Sequence, residues 1–316
     1  MNVLILSVAA KVLLVQAFQA AVAPRGGRVL AADLEPGSAG LYFADGVVSL
    51  PRTDDAGFGD ALLKTCVERG VQLVVPTRDG DLQVLSGLKT RFRDRGVEIL
   101  VPSPEALSRC ADKRRFAAFC ARLGFKTPRT WSPEQTPDVF PVFVRPVNGA
   151  GGLGGRRLEA ADWRPQGEGM LVQAFCPLPE YSIDVLMDLD GAPLQAVARR
   201  RLKVRAGEAV VSQVEDASGL TYASLTLCAG LGLVGHNVVQ AFWDGLGDPL
   251  FIEVNARFGG ASNLSIQAGL ASPERLVMMV AGESAAARKP RTVRYGLTML
   301  RYSQDLLVEA DHPGAA

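Results

Sequence analysis

The densest chemistry in the chain lies in Phe251–Gly260, FIEVNARFGG. Glu253 and Asn255 alternate with apolar residues, so a strand here sends an acid and an amide from one face. Phe251, Ile252 and Val254 supply the apolar side. A carboxylate and an amide oxygen two residues apart suit a hard cation such as Mg²⁺. Upstream, Asn237–Phe242 (NVVQAF) is another short apolar strand with Gln240 inside it. The turn Asp244–Pro249 leads back, which predicts a hairpin with Gln240 beside Glu253. Arg257 follows, placed to meet a phosphate oxygen. Gly259 and Gly260 let backbone approach a ligand closely. The plain alternative is an ordinary hairpin with one buried amide.

The elements that must position this stretch belong to a chain of 316 residues, long enough for two or three domains. It is 48% hydrophobic and 21% charged, which is globular composition. The net charge of +1 gives no electrostatic case for a nucleic-acid or membrane partner. Five cysteines without CxxC spacing argue against a disulfide framework and a zinc site. Only His236 and His312 are present, which argues against a histidine metal site or a histidine triad. Lys11 interrupts the apolar N-terminal run, and no basic stretch precedes it. A strand and an amphipathic helix fit better than a signal peptide, so the expected location is cytoplasmic.

Residues 1–110 alternate strands with helices. Strands are predicted at Val3–Leu6, Arg28–Asp33, 46–50, Val71–Pro76 and Val97–Val101. Helices are predicted over 11–22, over Asp55–Arg69, from about Asp81, and from SPEALSRC. That order implies a doubly wound parallel sheet. The loop Ser7–Lys11 lacks G-x-G-x-x-G, so a dinucleotide site is not indicated. Ligands of such sheets bind past the carboxyl ends of the strands. The loops there are Ser7–Lys11, Asp33–Ser38 and Thr77–Asp81, and Thr77, Arg78, Asp79 and Asp81 are the candidate contacts.

The next helix, Ala111–Leu123, carries Lys113. Strand Phe140–Arg145 follows, then the loop Asn148–Gly155, NGAGGLGG. So many glycines are costly unless backbone must approach something or move. A phosphate chain would suit it, with Arg145 and Lys113 as cations, although no GK[ST] makes it a Walker loop. Met170–Phe175 is a strand leading through Cys176 to Glu180, a segment suited to a hinge. Tyr181–Met187 and Leu194–Ala198 are strands, and the second runs into Arg199, Arg200, Arg201, Lys203 and Arg205. Alternate cations share a face, which fits a pocket for phosphates and substrate carboxylates better than a nucleic-acid surface. Glu208 is a candidate polar partner for that run. A helix over Ala223–Leu233 precedes the hairpin. Helices from Asn263 and Glu274, a connector over Ala285–Pro290 and a last strand over Tyr295–Tyr302 follow it.

Taken in order, Lys113, Arg145, the 149–155 loop, the 173–176 hinge, Glu180, Gln240, Glu253, Asn255 and Arg257 resemble the ATP-grasp superfamily. The likeness is to short proteins similar to half of the carbamoyl phosphate synthase large chain, or to the pyrrolysine-pathway ligase. It implies an α/β and α+β chain, an ATP-grasp fold preceded by a doubly wound, Rossmann-like preATP-grasp domain. The implied divisions are a preATP-grasp domain (1–110), a small lid subdomain (111–176), a large subdomain (177–304) and a flexible tail (305–316).

By the same resemblance, Lys113 and Arg145 bind the α- and β-phosphates of ATP. Gly149, Gly151, Gly152 and Gly154 belong to the lid. Gln173, Ala174, Phe175 and Cys176 form the adenine hinge, and Glu180 takes the ribose. Gln240, Glu253 and Asn255 hold Mg²⁺, with Mn²⁺ as the alternative ion. Arg257 serves the γ-phosphate and the acyl phosphate, with Arg201 or Lys203 as further catalytic cations. Three positions depart from the common pattern: Arg145 replaces a lysine, Ala174 a hinge acid, and Gln240 an acid at the first metal position. The implied activity is carboxylate–amine ligation through an acyl phosphate, with ATP and small-molecule carboxylate and amine partners and room for a homodimer. The rival readings are an ATP-binding scaffold without turnover and a small-molecule kinase of the same fold.

Overall fold

The computed structural model describes residues 1–149 and 154–309. Gly151, Gly152, His312 and the tail after Asp311 lie outside the described residues. The first region is a five-stranded parallel sheet of β1 (Asn2–Leu6), β2 (Val29–Ala32), β3 (Gly46–Val47), β4 (Val71–Pro76) and β5 (Glu98–Ile99). Its order is β3-β2-β1-β4-β5. The strands are nearly continuous apolar runs because helices cover both faces. Those helices include α1 (Val12–Val22), α2 (Ala39–Phe43), α3 (Phe58–Glu68) and α4 (Asp79–Arg93). α2 is shorter than the periodicity needed to see it in the sequence.

Two helices then lead to the second region. Ser103 caps α5 (Pro104–Ala111) by accepting from the Ala106 N–H. Asp112 caps α6 (Lys113–Arg122) by accepting from the N–H groups of Arg114 and Arg115. Asp112 therefore ends one helix and starts the next, which fixes where Lys113 emerges. A four-stranded antiparallel sheet follows, built from β6 (Thr130–Trp131), β7 (Val142–Pro146), β8 (Arg156–Leu158) and β9 (Met170–Ala174). Its order is β6-β9-β7-β8, and its apolar side gathers Trp131, Val142, Val144, Trp163 and Val172.

The third sheet has β10 (Glu180–Met187), β11 (Pro193–Arg205), β12 (Glu208–Val214), β13 (Gly235–Phe242), β14 (Leu250–Asn255) and β15 (Thr298–Leu300). Its order is β14-β13-β10-β11-β12-β15, antiparallel throughout. One face, with Tyr181, Ile183, Val185 and Met187, buries itself with α7 (Ser218–Leu231) in the core. Each large apolar side chain buried there stabilises by roughly 1.5–3 kcal/mol. The other face carries Glu180, Ser182 and Asp184. Past β14 come α8 (Ser262–Ser265), α9 (Ser272–Val280) and α10 (Ser284–Ala287), the last overlapping the stretch expected to be a connector. Among the described residues no helix is long and apolar enough to cross a membrane.

Candidate active site

Glu253 sits where the second and third sheets meet. Across the β13–β14 ladder its direct partner is Gln240, so both side chains leave the same face, as the hairpin reading expects. The register slips between Gln240 and Ala241, whose partner is Phe251. Strict alternation would put Phe251 on the face of Glu253; the extra residue, Ile252, turns it into the core instead. There its ring meets Phe125 edge-on at 5.4 Å. The displaced Ile252 carbonyl accepts from Arg145 Nη2 at 3.2 Å.

Two cations from the second region converge on Glu253. Lys113 Nζ lies 3.6 Å and Arg145 Nη1 3.4 Å from its Oε2. Lys113 also donates to the Gly149 carbonyl at 2.8 Å, which ties it to the start of the glycine loop. Arg145 Nε donates to Gln173 Oε1 at 3.1 Å. Both cations are buried. Burial pushes the Lys113 ammonium below its ordinary value, with Glu253 opposing and Arg145 adding to the fall. Burial lowers Arg145 likewise, against Glu253 and Glu180.

On the same face, Arg201 of β11 reaches over β10. Its Nη1 pairs with Glu180 and lies 3.4 Å from Gln240 Oε1, and its Nη2 donates to the Gly207 carbonyl at 2.7 Å. Among the described residues Arg201 Nε has no hydrogen-bond partner. Burial raises the Glu180 carboxyl, although Arg201 draws it down. Asn255 Nδ2 approaches Glu253 Oε1 at 3.5 Å, and Arg257 Nη2 approaches Asn255 Oδ1 at 3.3 Å.

Two family models match this chain. One, described as PylC-like N-terminal domain, covers residues 3–100. The other, described as ATP-grasp in the biosynthetic pathway with Ter operon, covers residues 166–304. The chain has the ATP-grasp fold. Solved structures agree on the fold. Biotin carboxylase from Campylobacter jejuni superposes at a TM-score of 0.69 and 15% identity, covering 89% of this chain and 71% of that one. L-amino acid ligase from Bacillus licheniformis superposes at 0.66 and 19% identity, covering 92% and 77%. Rhizobium etli pyruvate carboxylase superposes at 0.71 and 14% identity over 92% of this chain, which spans 30% of that longer one. No curated protein sequence matches.

Within this ATP-grasp frame the structure brings together Lys113, Arg145, Gln173, Glu180, Arg201, Gln240, Glu253 and Asn255, with Gly149 at the edge. Lys203 is not brought there. β11 and β12 change register on both sides of it, which breaks the alternation after Arg201 and leaves Lys203 exposed. At the hinge, the Ala174 N–H donates to the Arg129 carbonyl and the Phe175 N–H to the Pro141 carbonyl. Cys176, just beyond, is partly buried. Gly154, within the glycine loop, has φ of 74°.

Other candidates have structural partners. Asp81 is 1% exposed and accepts from Ser7, Thr53 and Arg78; Thr77 Oγ1 donates to the Leu6 and Ser7 carbonyls. They brace the loop rather than face a cleft. Asp79 holds Arg257 in a two-pronged pair at 2.6 and 2.9 Å, linking the first sheet's loops to the third sheet. Glu208 pairs with Arg301, not with the basic run. Gly259 serves packing: a Cβ there would lie 3.1 Å from Val238 Cγ2.

A second polar cluster lies deeper on the same face. The Asp184 carboxylate accepts from Arg199 Nε and Ser265 Oγ at 2.5 Å each on one oxygen. The other oxygen meets Ser262 Oγ at 2.5 Å and His236 Nε2 at 3.0 Å. His236 Nδ1 lies 2.9 Å from Ser272 Oγ, and its ring stacks on Phe258 at 4.0 Å. Ser262 Oγ also accepts from the Gly259 N–H at 2.8 Å. This cluster pins the turn that follows Arg257. The sequence offered only a lone histidine here.

Gln240, Glu253 and Asn255 offer one carboxylate and two amide oxygens. Among the described residues there is no group of three or more His, Cys, Asp or Glu side chains that could hold a metal ion. One acid with amide oxygens fits Mg²⁺, which keeps waters and is shared with nucleotide phosphates.

Proposed function

We propose that this chain is an ATP-dependent carboxylate–amine ligase that passes through an acyl phosphate and releases ADP and phosphate. The observation that carries the reading is the direct pairing of Gln240 with Glu253 opposite two buried cations from another sheet. Structural neighbours named as a biotin carboxylase and an L-amino acid ligase support it.

Lys113 and Arg145 rest on Glu253 at 3.4–3.6 Å, longer than the charge-assisted bonds they can make. Nucleotide phosphates entering beside the glycine loop would take over these cations. That exchange frees the Glu253 carboxylate, with Gln240 and Asn255, to hold Mg²⁺. The ion would supply positive charge against the phosphate oxygens. A substrate carboxylate oxygen then attacks the γ-phosphorus in line, and the bond from that phosphorus to the β–γ bridging oxygen breaks, leaving ADP. An amine nitrogen next attacks the acyl carbon; phosphate leaves, and the nitrogen's proton passes to solvent. Lys113, Arg145, Arg201 and Arg257 position these groups and spread the developing charge. His236 is buried beneath the turn and is not needed as a base.

The test is ADP release with Mg·ATP against paired pools of small carboxylates and amines. Release that depends on one member of each pool is the expected result. Tight ATP binding without release across the pools would favour a scaffold, and a phosphorylated product formed without any amine would favour a kinase.

A further inference from the structure

Three arginines stand in a row on β11, and each is paired with its own acid: Arg199 with Asp184, Arg200 with Glu215 and Arg201 with Glu180. Alternation sends the middle one to the other face, where Glu215 also accepts from the Tyr181 hydroxyl at 2.6 Å. These arginines are therefore not an open pocket for substrate carboxylates, as the basic run suggests in the sequence. The three acids differ in what they have left. Both oxygens of Asp184 and both of Glu215 have partners. Glu180 gives one oxygen, Oε1, to Arg201, and its Oε2 accepts no hydrogen bond among the described residues. The Glu180 side chain is 28% exposed, against 7% for Arg201.

The strand register brings this about. Tyr181 faces Arg200 on the β10–β11 ladder, so Glu180 falls opposite Arg201. On the other side of β10, Ser182 faces Gln240, which sets Gln240 one step along the same face. Arg201 Nη1 meets Glu180 and, at 3.4 Å, Gln240 Oε1, while Nη2 donates to the Gly207 carbonyl at 2.7 Å. Ala206 and Gly207 form the β11–β12 turn, with φ of 49° and 77°, so that anchor is backbone in a tight turn. A guanidinium fixed in this way turns the Glu180 carboxylate. It leaves Oε2 as an acceptor close to Gln240, a predicted ligand of the ion. A carboxylate oxygen repels phosphate, so the ligand group that meets it must be a donor. In a nucleotide the donors nearest the phosphates are the sugar hydroxyls.

We propose that Arg201 is a positioning residue: it aims Glu180 at the sugar hydroxyls and so makes the chain select ribonucleotides over deoxyribonucleotides. This rests on the nucleotide part of the reading above and needs no choice of carboxylate or amine. The charged groups that act on the Glu180 carboxyl are Arg201 from β11, Glu253 from β14 and Arg145 from β7. Burial and Glu253 raise it, and the two arginines draw it down. Without Arg201 the carboxyl keeps its proton to higher pH, and a protonated carboxyl is the weaker acceptor.

The test is calorimetry on the whole chain with the magnesium complexes of ADP, 2′-deoxyADP and 3′-deoxyADP. The wild type should bind ADP about tenfold or more tightly than at least one deoxy form. In Arg201→Met that ratio should fall to about twofold or less near about pH 6, through weaker ADP alone, and should recover in part toward about pH 9. Arg201→Lys should keep most of the ratio, and Glu180→Gln should lose it at every pH. The role is overturned if the wild type binds ADP and both deoxy forms alike, a comparison that needs no variant. It is also overturned if Arg201→Met or Glu180→Gln keeps the wild-type ratio. Equal weakening of all three nucleotides in Arg201→Met, or a ratio there that stays flat with pH, overturns it as well. In each of these cases ADP still binds to the wild type and the nucleotide reading stands. No ADP binding by the wild type overturns that reading, and the role of Arg201 with it.

Discussion

Two clusters that each pair acids with cations share one face of the six-stranded sheet, and they are built differently. Around Asp184 the contacts run from 2.5 to 3.0 Å and the carboxylate is fully enclosed, with all its partners in place. Around Glu253 the cations stand off at 3.4–3.6 Å and Asn255 lies at 3.5 Å; each cluster leaves one buried guanidinium nitrogen without a partner among the described residues, Arg199 Nη1 in the first and Arg201 Nε in the second. The first arrangement has the geometry of a finished structural joint. The second has strong groups at poor distances, as expected where phosphates and a cation complete the shell. Substitutions in the first should therefore be read in stability, and those in the second in turnover.

The largest effect is expected at the joint. Asp184→Ala strands Arg199 and His236 without their carboxylate and should cost about 3–5 kcal/mol in denaturant unfolding. A loss below about 1 kcal/mol would erase the contrast. The pH dependence sharpens it. Burial alone would raise the Asp184 carboxyl, but Arg199 and His236 outweigh it and hold the group well below the usual carboxylate range. A depressed carboxyl stabilises fully above its unfolded value, near 4, and that stability is lost as pH falls toward the folded value. The stability gap between wild type and Asp184→Asn should thus be constant from neutrality to about pH 5 and shrink below about pH 4.

Glu253→Ala should do the reverse. Lys113 keeps the Gly149 carbonyl, and Arg145 keeps Gln173 and the Ile252 carbonyl, so stability should fall by only about 1–2 kcal/mol. Mg²⁺-dependent ADP release should fall by about a hundredfold or more. Unchanged release by the folded variant would remove Glu253 from the site. Lys113→Ala is expected to be milder: the ATP concentration for half-maximal release should rise about tenfold, as one charge-assisted contact is lost. An unaltered ATP titration would confine Lys113 to holding the loop.

What the sequence disclosed follows the range of each signal. The parallel strands and the 240–253 hairpin were legible because alternation and turn residues are local. The bulges were not. Nothing in FIEV marks Ile252 as the extra residue, and nothing in RRRLKVR says that the alternation ends after Arg201. β12 was missed because its apolar residues follow a charged turn without a clear period. Arg257 was seen as a phosphate cation, but its partner Asp79 is 178 positions away, a separation that leaves no spacing to read. Lys11 is legible as an interruption in an apolar run and as the end of the Ser7–Lys11 loop past the first strand.

The smallest expected effect tests the neutral member of the metal set. Gln240 offers an oxygen beside Glu253, and that oxygen also lies 3.4 Å from Arg201 Nη1. Gln240→Glu adds charge at this point, and two forces then compete. A second carboxylate should hold Mg²⁺ more tightly, since affinity in oxygen sites rises with ligand charge. Without the ion, repulsion from Glu253 makes the apo site less comfortable, partly offset by Arg201, which would then lie between two acids. Both changes favour the ion-bound state, so the Mg²⁺ needed for half-maximal ADP release should fall by about threefold, or about 0.6 kcal/mol. ATP titration at saturating Mg²⁺ should move by less than about twofold, because the phosphate cations are untouched. A rise in the Mg²⁺ requirement would mean that the oxygen of Gln240 belongs to Arg201 and not to the ion, and Glu253 and Asn255 would be left as its protein ligands.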